Sequence, residues 1–372
     1  MRYSRSLRRG VVVSNPTGSS TRPAHRKMRW VFGGCAALVA STSMAALSLT
    51  PAFGASDPSV TLGYFTGSEA TPATIIATDP ALEKTVPAKI SWSPVTAGVT
   101  ALAEMESGSL LSVTGVGNPP VVGAIGNGVN VDVLWADDLT ASTLVVSKSI
   151  TKPSQLAGKT LGDLEGSSTD FQLRGWLSVE HLTKSVTVDG FPSIAAVAAA
   201  YLAGKLQGAY VAGVQATELT AKGGHVLVNS KQIAAVGYGG FGVLAVAHSL
   251  IRSDPTLVQK YVCASLTAID DILGHDSAKY FKASAKLLGV PAATAVTAGE
   301  AAVSYYVTPS QEKAWLEGSN GSTATGELTS DYLTTAKFDL ASGRIKSIPS
   351  RSEVASHIDP TFALNALAGR CS

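Results

Sequence analysis

Three short polar turns, Thr66-Gly67-Ser68, Gly117-Asn118-Pro119 and Gly166-Ser167-Ser168-Thr169, each stand between a run that reads as a β-strand and one that reads as a helix. The first amides of a helix have no partner within it and carry partial positive charge, so with neighbouring hydroxyls they form a seat for an oxoanion. Taken singly, each turn is an ordinary helix cap. Together, at the carboxyl ends of parallel strands, they describe one shared anion site. Thr66, Ser68, Asn118, Ser167, Ser168 and Thr169 are its candidate donors. Glu69 is a candidate for holding a cationic group of the same ligand, or else a first-turn acid set against a helix dipole.

Residues for covalent or redox chemistry are not arranged in any familiar pattern. Gly237-Tyr238-Gly239-Gly240-Phe241-Gly242 matches a dinucleotide fingerprint letter for letter, yet it leads into the β-like run Val243 to Ala247 instead of a helix. It reads as a glycine-rich turn. The chain has no GxxxxGK[ST], GxSxG, HExxH or CxxC, and His181, His225, His248, His275 and His357 stand isolated. Neither a cofactor nor a metal site is expected.

The elements that must position the turns alternate. Strands are expected over 60–65, 88–92, 111–116 and 131–135, with helices over 68–78, 98–107 and 119–126 between them. After 144–148 a second set follows, with strands over 160–164, 186–188 and 208–211 and helices over 169–181 and 194–202. A return strand over 242–247 leads into helices over 255–273, 276–288, 292–303 and 309–316. Alternation through short turns indicates parallel βαβ units and an α/β class. The order fits one lobe, 55–147 plus 243–372, interrupted by a second, 148–242.

Residues 1–54 hold eight basic residues and no acid, so the 29 basic and 27 acidic residues of the whole chain leave a net charge of −6 beyond Gly54. Such an acidic body lacks the basic face that a phosphate backbone requires, which excludes nucleic acid as a partner. The basic start, the apolar middle from Trp30 and the end Ala52-Phe53-Gly54 have the layout of a secretory signal peptide, with Met28 a second candidate start beside Met1. An uncleaved anchor is the alternative, but Ser41, Thr42, Ser43 and Pro51 interrupt a span that needs roughly 20 apolar residues. Lipidation at Cys35 is not expected, because only Trp30, Val31 and Phe32 precede the glycines before it. The exported chain keeps Cys263 and Cys371, either an even pair for one disulfide or two unrelated thiols.

The run from Ser149 to Leu161, followed by Gly166-Ser167-Ser168-Thr169-Asp170-Phe171, resembles the lobe-opening segment of substrate-binding proteins of taurine, sulfonate and nitrate ABC importers. Collinear matches are Tyr64 with Thr66 to Glu69, Gly204 to Val211 including Tyr210, and Tyr306 to Gln311, with the taurine-binding branch the most similar. The resemblance implies a type II periplasmic-binding fold, two α/β lobes joined by two crossover segments and closing on a ligand. It also implies a ligand-contacting role for Tyr210, a membrane permease as partner and a monomer.

Departures bear on the ligand. Asn118-Pro119 stands where paired serines are usual, Ala212-Gly213 follows Val211 where the taurine branch has a tryptophan, and Gly242 occupies the place of an acid suited to an ammonium group. The sulfonate end of the ligand is therefore better supported than the amine end. Two other functions compete on the same fold: a secreted enzyme acting on pyrimidine or thiamine-like compounds, and a ligand-sensing or adhesin subunit. Amino-terminal sequencing of protein from the native envelope is expected to find a start near Ala55; an intact Met1 or Met28 overturns cleavage, and an acylated Cys35 would establish lipid anchoring.

Overall fold

The computed structural model describes residues 58–67 and 69–371. The expected signal segment, Cys35 and Ser68 lie outside the described residues. The chain begins with β1 (Ser59–Phe65), α1 (Pro72–Thr78), α2 (Pro80–Glu83), β2 (Lys89–Val95), α3 (Gly98–Glu106), β3 (Ser112–Gly117), α4 (Asn118–Gly126) and β4 (Val131–Leu139). It continues through β5 (Ser142–Val146), β6 (Thr160–Leu164), α5 (Ser168–Val179), β7 (Thr187–Phe191), α6 (Ile194–Leu202), β8 (Gly208–Ala212), α7 (Gly213–Ala221), β9 (His225–Asn229) and α8 (Ser230–Ala234). After β10 (Phe241–Ala247) it is helical: α9 (His248–Ser253), α10 (Pro255–Leu273), α11 (Ser277–Leu288), α12 (Ala292–Ala302), α13 (Pro309–Glu317), α14 (Glu327–Ala341), α15 (Arg351–Ser356) and α16 (Thr361–Leu367).

Two five-stranded sheets result, ordered β2-β1-β3-β10-β4 and β7-β6-β8-β5-β9. Each is parallel except for one strand. β10 runs antiparallel to β3 and β4, and β5 runs antiparallel to β8 and β9. These are the two strands that the chain enters on crossing from the other sheet, at Thr140–Ala141 and again at 235–240. The crossings touch: the Thr140 N–H donates to the Gly240 carbonyl at 3.0 Å. Because the first crossing is only two residues long, Ser142–Val146 already pair in the second sheet, ahead of residue 148 where the sequence reading begins that lobe.

Burial follows the sheets. β10 is buried along its whole length and packs with Leu62, Val113 and Trp135 in one core, while Leu144, Leu161 and Tyr210 belong to another. Strands covered by helices on both faces read as continuous apolar runs, as Phe241 to Ala247 does. Among the described residues, no helix is long and apolar enough to cross a membrane.

Local chemistry explains where the expectations moved. α1 starts at Pro72 instead of residue 68, because proline suits a first helical position while holding the preceding Thr71 extended. Thr66-Gly67-Ser68 therefore caps no helix, and Glu69 is not a first-turn acid. α14 was not anticipated, since its buried face carries Thr329, Thr335 and Asp339, which break the apolar stripe.

A disulfide joins Cys263 in α10 to Cys371 across 108 residues of sequence, fastening the C-terminal end to the helical layer beside the first sheet. In the chain-entropy account, closing a loop of that size is worth about 4–5 kcal/mol. Thiol titration of unreduced, unfolded mature protein should find no free thiol, and reduction should lower the melting temperature. Two free thiols would remove the bond from the account.

Candidate ligand-binding cleft

The carboxyl ends of strands from both sheets converge on one small cleft of about 80 Å³. Phe65 and Thr66 come from the end of β1, Thr96 from that of β2, Gly117 from β3, Leu164 from β6 and Ala212 from β8; Thr140 comes from the first crossing. Larger depressions of about 430 Å³ border Arg344, but they do not collect these strand ends. In open α/β sheets, ligands bind outside the carboxyl ends of the strands.

Five helices begin beside this cleft and their caps differ; α6, whose first residue Ile194 lines it, is capped by the Ser193 hydroxyl. In α5 the Ser167 hydroxyl accepts from the Thr169 and Asp170 N–H groups, leaving the Ser168 N–H at the first helical position. α3 and α7 have Ala97 and Ala212 at the cap position and no side-chain cap, although alanine is among the poorest capping residues. These uncapped starts stand beside the cleft, where Gly98 and Ala212 form part of the wall. α4 contributes less, because Pro119 and Pro120 have no N–H to donate. Among the described residues, no charged side chain lines the cleft.

Of the candidate residues, Thr66, Ser167, Ser168 and Thr169 line this cleft. Ser168 and Asn118 do not face each other across open space: the Ser168 hydroxyl donates to Asn118 Oδ1 at 2.7 Å. The Asn118 amide in turn donates to Thr335 Oγ1 at 2.8 Å and to the Gly239 carbonyl at 3.2 Å. Asn118 is thus a buried junction between α4, α5, α14 and the return crossing. Gly117 must be a glycine, since a Cβ there would lie 2.2 Å from Ser168 Oγ.

Tyr210 is not in the lining. It is fully buried in the core of the second sheet, where its hydroxyl donates to Gln172 Oε1 at 3.1 Å and burial holds its pKa well above the ordinary value. Sequence reasoning missed Thr96, Gly98, Thr140 and Ala212. The signal available for them was negative, a strand-to-helix junction with alanine where a capping residue belongs.

Beside Gly115, which lines the cleft at φ +81°, lies a buried acidic group. The Gly115 N–H donates to Asp137 Oδ2 at 2.7 Å, and the Gly242 N–H donates to Asp138 Oδ1 at 3.1 Å. Gly242 pairs with Asp138 across the sheet, and a Cβ on Gly242 would sit 2.7 Å from Asp138 Oδ1. A carboxylate thus lies beside Gly242, on the strand opposite. Burial, with Glu69 and Asp137 nearby, pushes the Asp138 carboxyl well up, and burial alone raises Asp137 to about 7 despite its hydrogen bond from Gly115. Among the described residues, no group of three His, Cys, Asp or Glu could hold a metal ion.

No family model matches the chain. The chain is 26% identical over 315 residues to the taurine-binding periplasmic protein of Escherichia coli (strain K12), covering 83% of this chain and 94% of that protein. Its structure is similar to that of the alkanesulfonate-binding protein SsuA from Xanthomonas axonopodis pv. citri bound to MOPS, with a TM-score of 0.65 and 21% identity over 81% of this chain and 98% of that one. The desulfurization enzyme DSZB shares the fold at a TM-score of 0.55 and 17% identity, covering 83% of this chain and 99% of that one. The α/β periplasmic-binding fold expected from the sequence is the fold observed.

The raised Asp137 carboxyl fixes the sign of a pH effect. It stays protonated in the fold up to about pH 7 but ionises near its ordinary 3.8 once unfolded, so its effect on stability worsens as pH rises from 3.8 to about 7. Asp137→Asn should match wild type below pH 4 and exceed it by on the order of 2–4 kcal/mol at pH 8. Denaturant titrations at the two pH values decide it. A variant destabilised equally at both would show that folding does not raise the Asp137 carboxyl.

Proposed function

We propose that this chain is the extracytoplasmic solute-binding component of an ABC importer, capturing a small organic anion, foremost a sulfonate such as taurine, and delivering it to a membrane permease. One observation carries the reading: strand ends from two sheets, with the N-termini of α3, α5 and α7, meet at one cleft whose donors are neutral. Oriented amides and hydroxyls suit an anion whose charge is spread over several oxygens. The sequence relative named for taurine and the structural neighbour named for alkanesulfonates support the same ligand class.

The two sheets are the centres of the two lobes, and the hydrogen-bonded crossings at Thr140 and Gly240 form their hinge. Closure traps the ligand because only the closed arrangement offers both walls at once. The protein acts as an exported monomer. Glu69 and Asp138 are buried outside the cleft lining, so the reading rests on the sulfonate end of the ligand and assigns no partner to an amine end.

Calorimetric titration with taurine, ethanesulfonate and nitrate tests the proposal. Thr140→Val should weaken sulfonate binding about ten- to a hundredfold, the range for losing a hydrogen bond that serves a charged group, because Thr140 lines the cleft whereas the Ser168 hydroxyl is already committed to Asn118. Ala212→Asp should supply the missing cap of α7, adding about 0.5–2 kcal/mol of stability while abolishing anion binding. Taurine should not outbind ethanesulfonate in wild type, and Glu69→Gln should leave their ratio unchanged. The proposal falls if wild type binds none of the anions, and turnover of a bound anion would assign the chain to enzymes on this fold.

A further inference from the structure

The loop that offers the α5 amides is gripped from outside the cleft. Asp170, in the first turn of α5, is 1% exposed, and its Oδ2 accepts from the Gly166 N–H at 3.0 Å, closing the loop that contains Ser167, Ser168 and Thr169. The same oxygen accepts from Arg344 Nη2 at 2.6 Å. The other carboxylate oxygen pairs with Arg174 of α5 itself.

Arg344 belongs to the C-terminal part of the chain. Gly343, at φ +76°, ends α14 in a left-handed turn, after which the Arg344 N–H returns to the Asp339 carbonyl at 2.8 Å. The turn aims the guanidinium at both carboxylates. Nη1 donates to Asp339 Oδ1 at 3.2 Å while Nη2 holds Asp170, and the guanidinium lies 5.0 Å from the Phe338 ring centroid. Phe338 in turn meets Phe171 edge-on at 5.5 Å. Thr335, Phe338 and Asp339 share one face of α14, so this helix reaches Asn118, Phe171 and, through Arg344, Asp170.

We infer that Arg344 is a positioning residue for the anion seat, clamping the Gly166–Asp170 loop to α14 so that the closed arrangement of the two walls is favoured and the anion completes the closure. The inference rests on reading the cleft as a ligand site. A fork donor is required, because one guanidinium must serve two carboxylates that are both almost fully buried. Lysine supplies the charge but not the fork.

Small-angle scattering of the full chain reads the clamp without any ligand, and taurine titration reads its effect on binding. The Arg344→Gln/Asp170→Asn double variant removes the pair without stranding the Asp170 charge; Arg344→Lys keeps the positive charge alone. Wild type should compact further on adding taurine, because the pair favours closure without completing it. The double variant should expand when ligand-free, recompact with taurine, and bind taurine about 5- to 100-fold more weakly, mostly through faster release. Arg344→Lys should fall between them, and near-ultraviolet dichroism should stay native in all three. A double variant as compact as wild type without ligand overturns the clamp. An expanded double variant that taurine fails to recompact, beside a wild type that binds no taurine, upholds the clamp and overturns the ligand.

Discussion

Unpaired backbone amides at the starts of helices are the constraint on which this structure turns. A helix begins with N–H groups that its own carbonyls cannot reach, and those groups must find a cap, water or a ligand. Parallel βαβ order places every such start at the same edge of a sheet, and two sheets facing through short crossings bring both edges to one cleft. The chain then distributes its caps unevenly. Ser193 and Asn229 satisfy the starts of α6 and α8, whereas Ala97 and Ala212 leave those of α3 and α7 without side-chain partners beside the cleft.

The crossings impose a second order on the packing. Each delivers an antiparallel strand into an otherwise parallel sheet, so β5 and β10 join the two halves as well as completing their cores. The return crossing also rests on α5. A Cβ on Gly175 would lie 2.0 Å from the Tyr238 ring, and one on Gly240 would lie 2.7 Å from the Gln172 amide carbon. The helix that offers its amides to the cleft is therefore packed against the segment that must bend if the cleft opens.

Much of this was legible in the residues, and the exceptions share a physical cause. The boundaries of β6, α6 and α10 were read as they stand, because an apolar period, a cap and a breaker agree there. β9, α9 and α14 to α16 were not read, because their burial depends on tertiary partners and not on a regular stripe. Ser167, Ser168 and Thr169 announce themselves as a capping motif. Ala97 and Ala212 announce nothing, since a missing cap shows only when the helix start is known. The closeness of Gly242 to Asp138 is invisible until the register of β4 against β10 places them opposite one another.

Among the described residues, the lining of the cleft contains no lysine or arginine, and this bears on how the proposed anion would be held. A helix start contributes about 0.3–1 kcal/mol to a nearby negative charge, and each hydrogen bond to a charged group about 1.5–3 kcal/mol. Three or four such bonds, offset by the cost of ordering, reach the roughly 8 kcal/mol of micromolar binding without a formal counter-charge. A buried cation in the wall would instead carry a desolvation penalty whenever the cleft stood empty. Here the nearest guanidinium, that of Arg344, is occupied by two carboxylates outside the lining, so its charge is already compensated. What it acts on is the loop carrying the amides, and the anion is left with neutral dipoles that cost little to keep waiting.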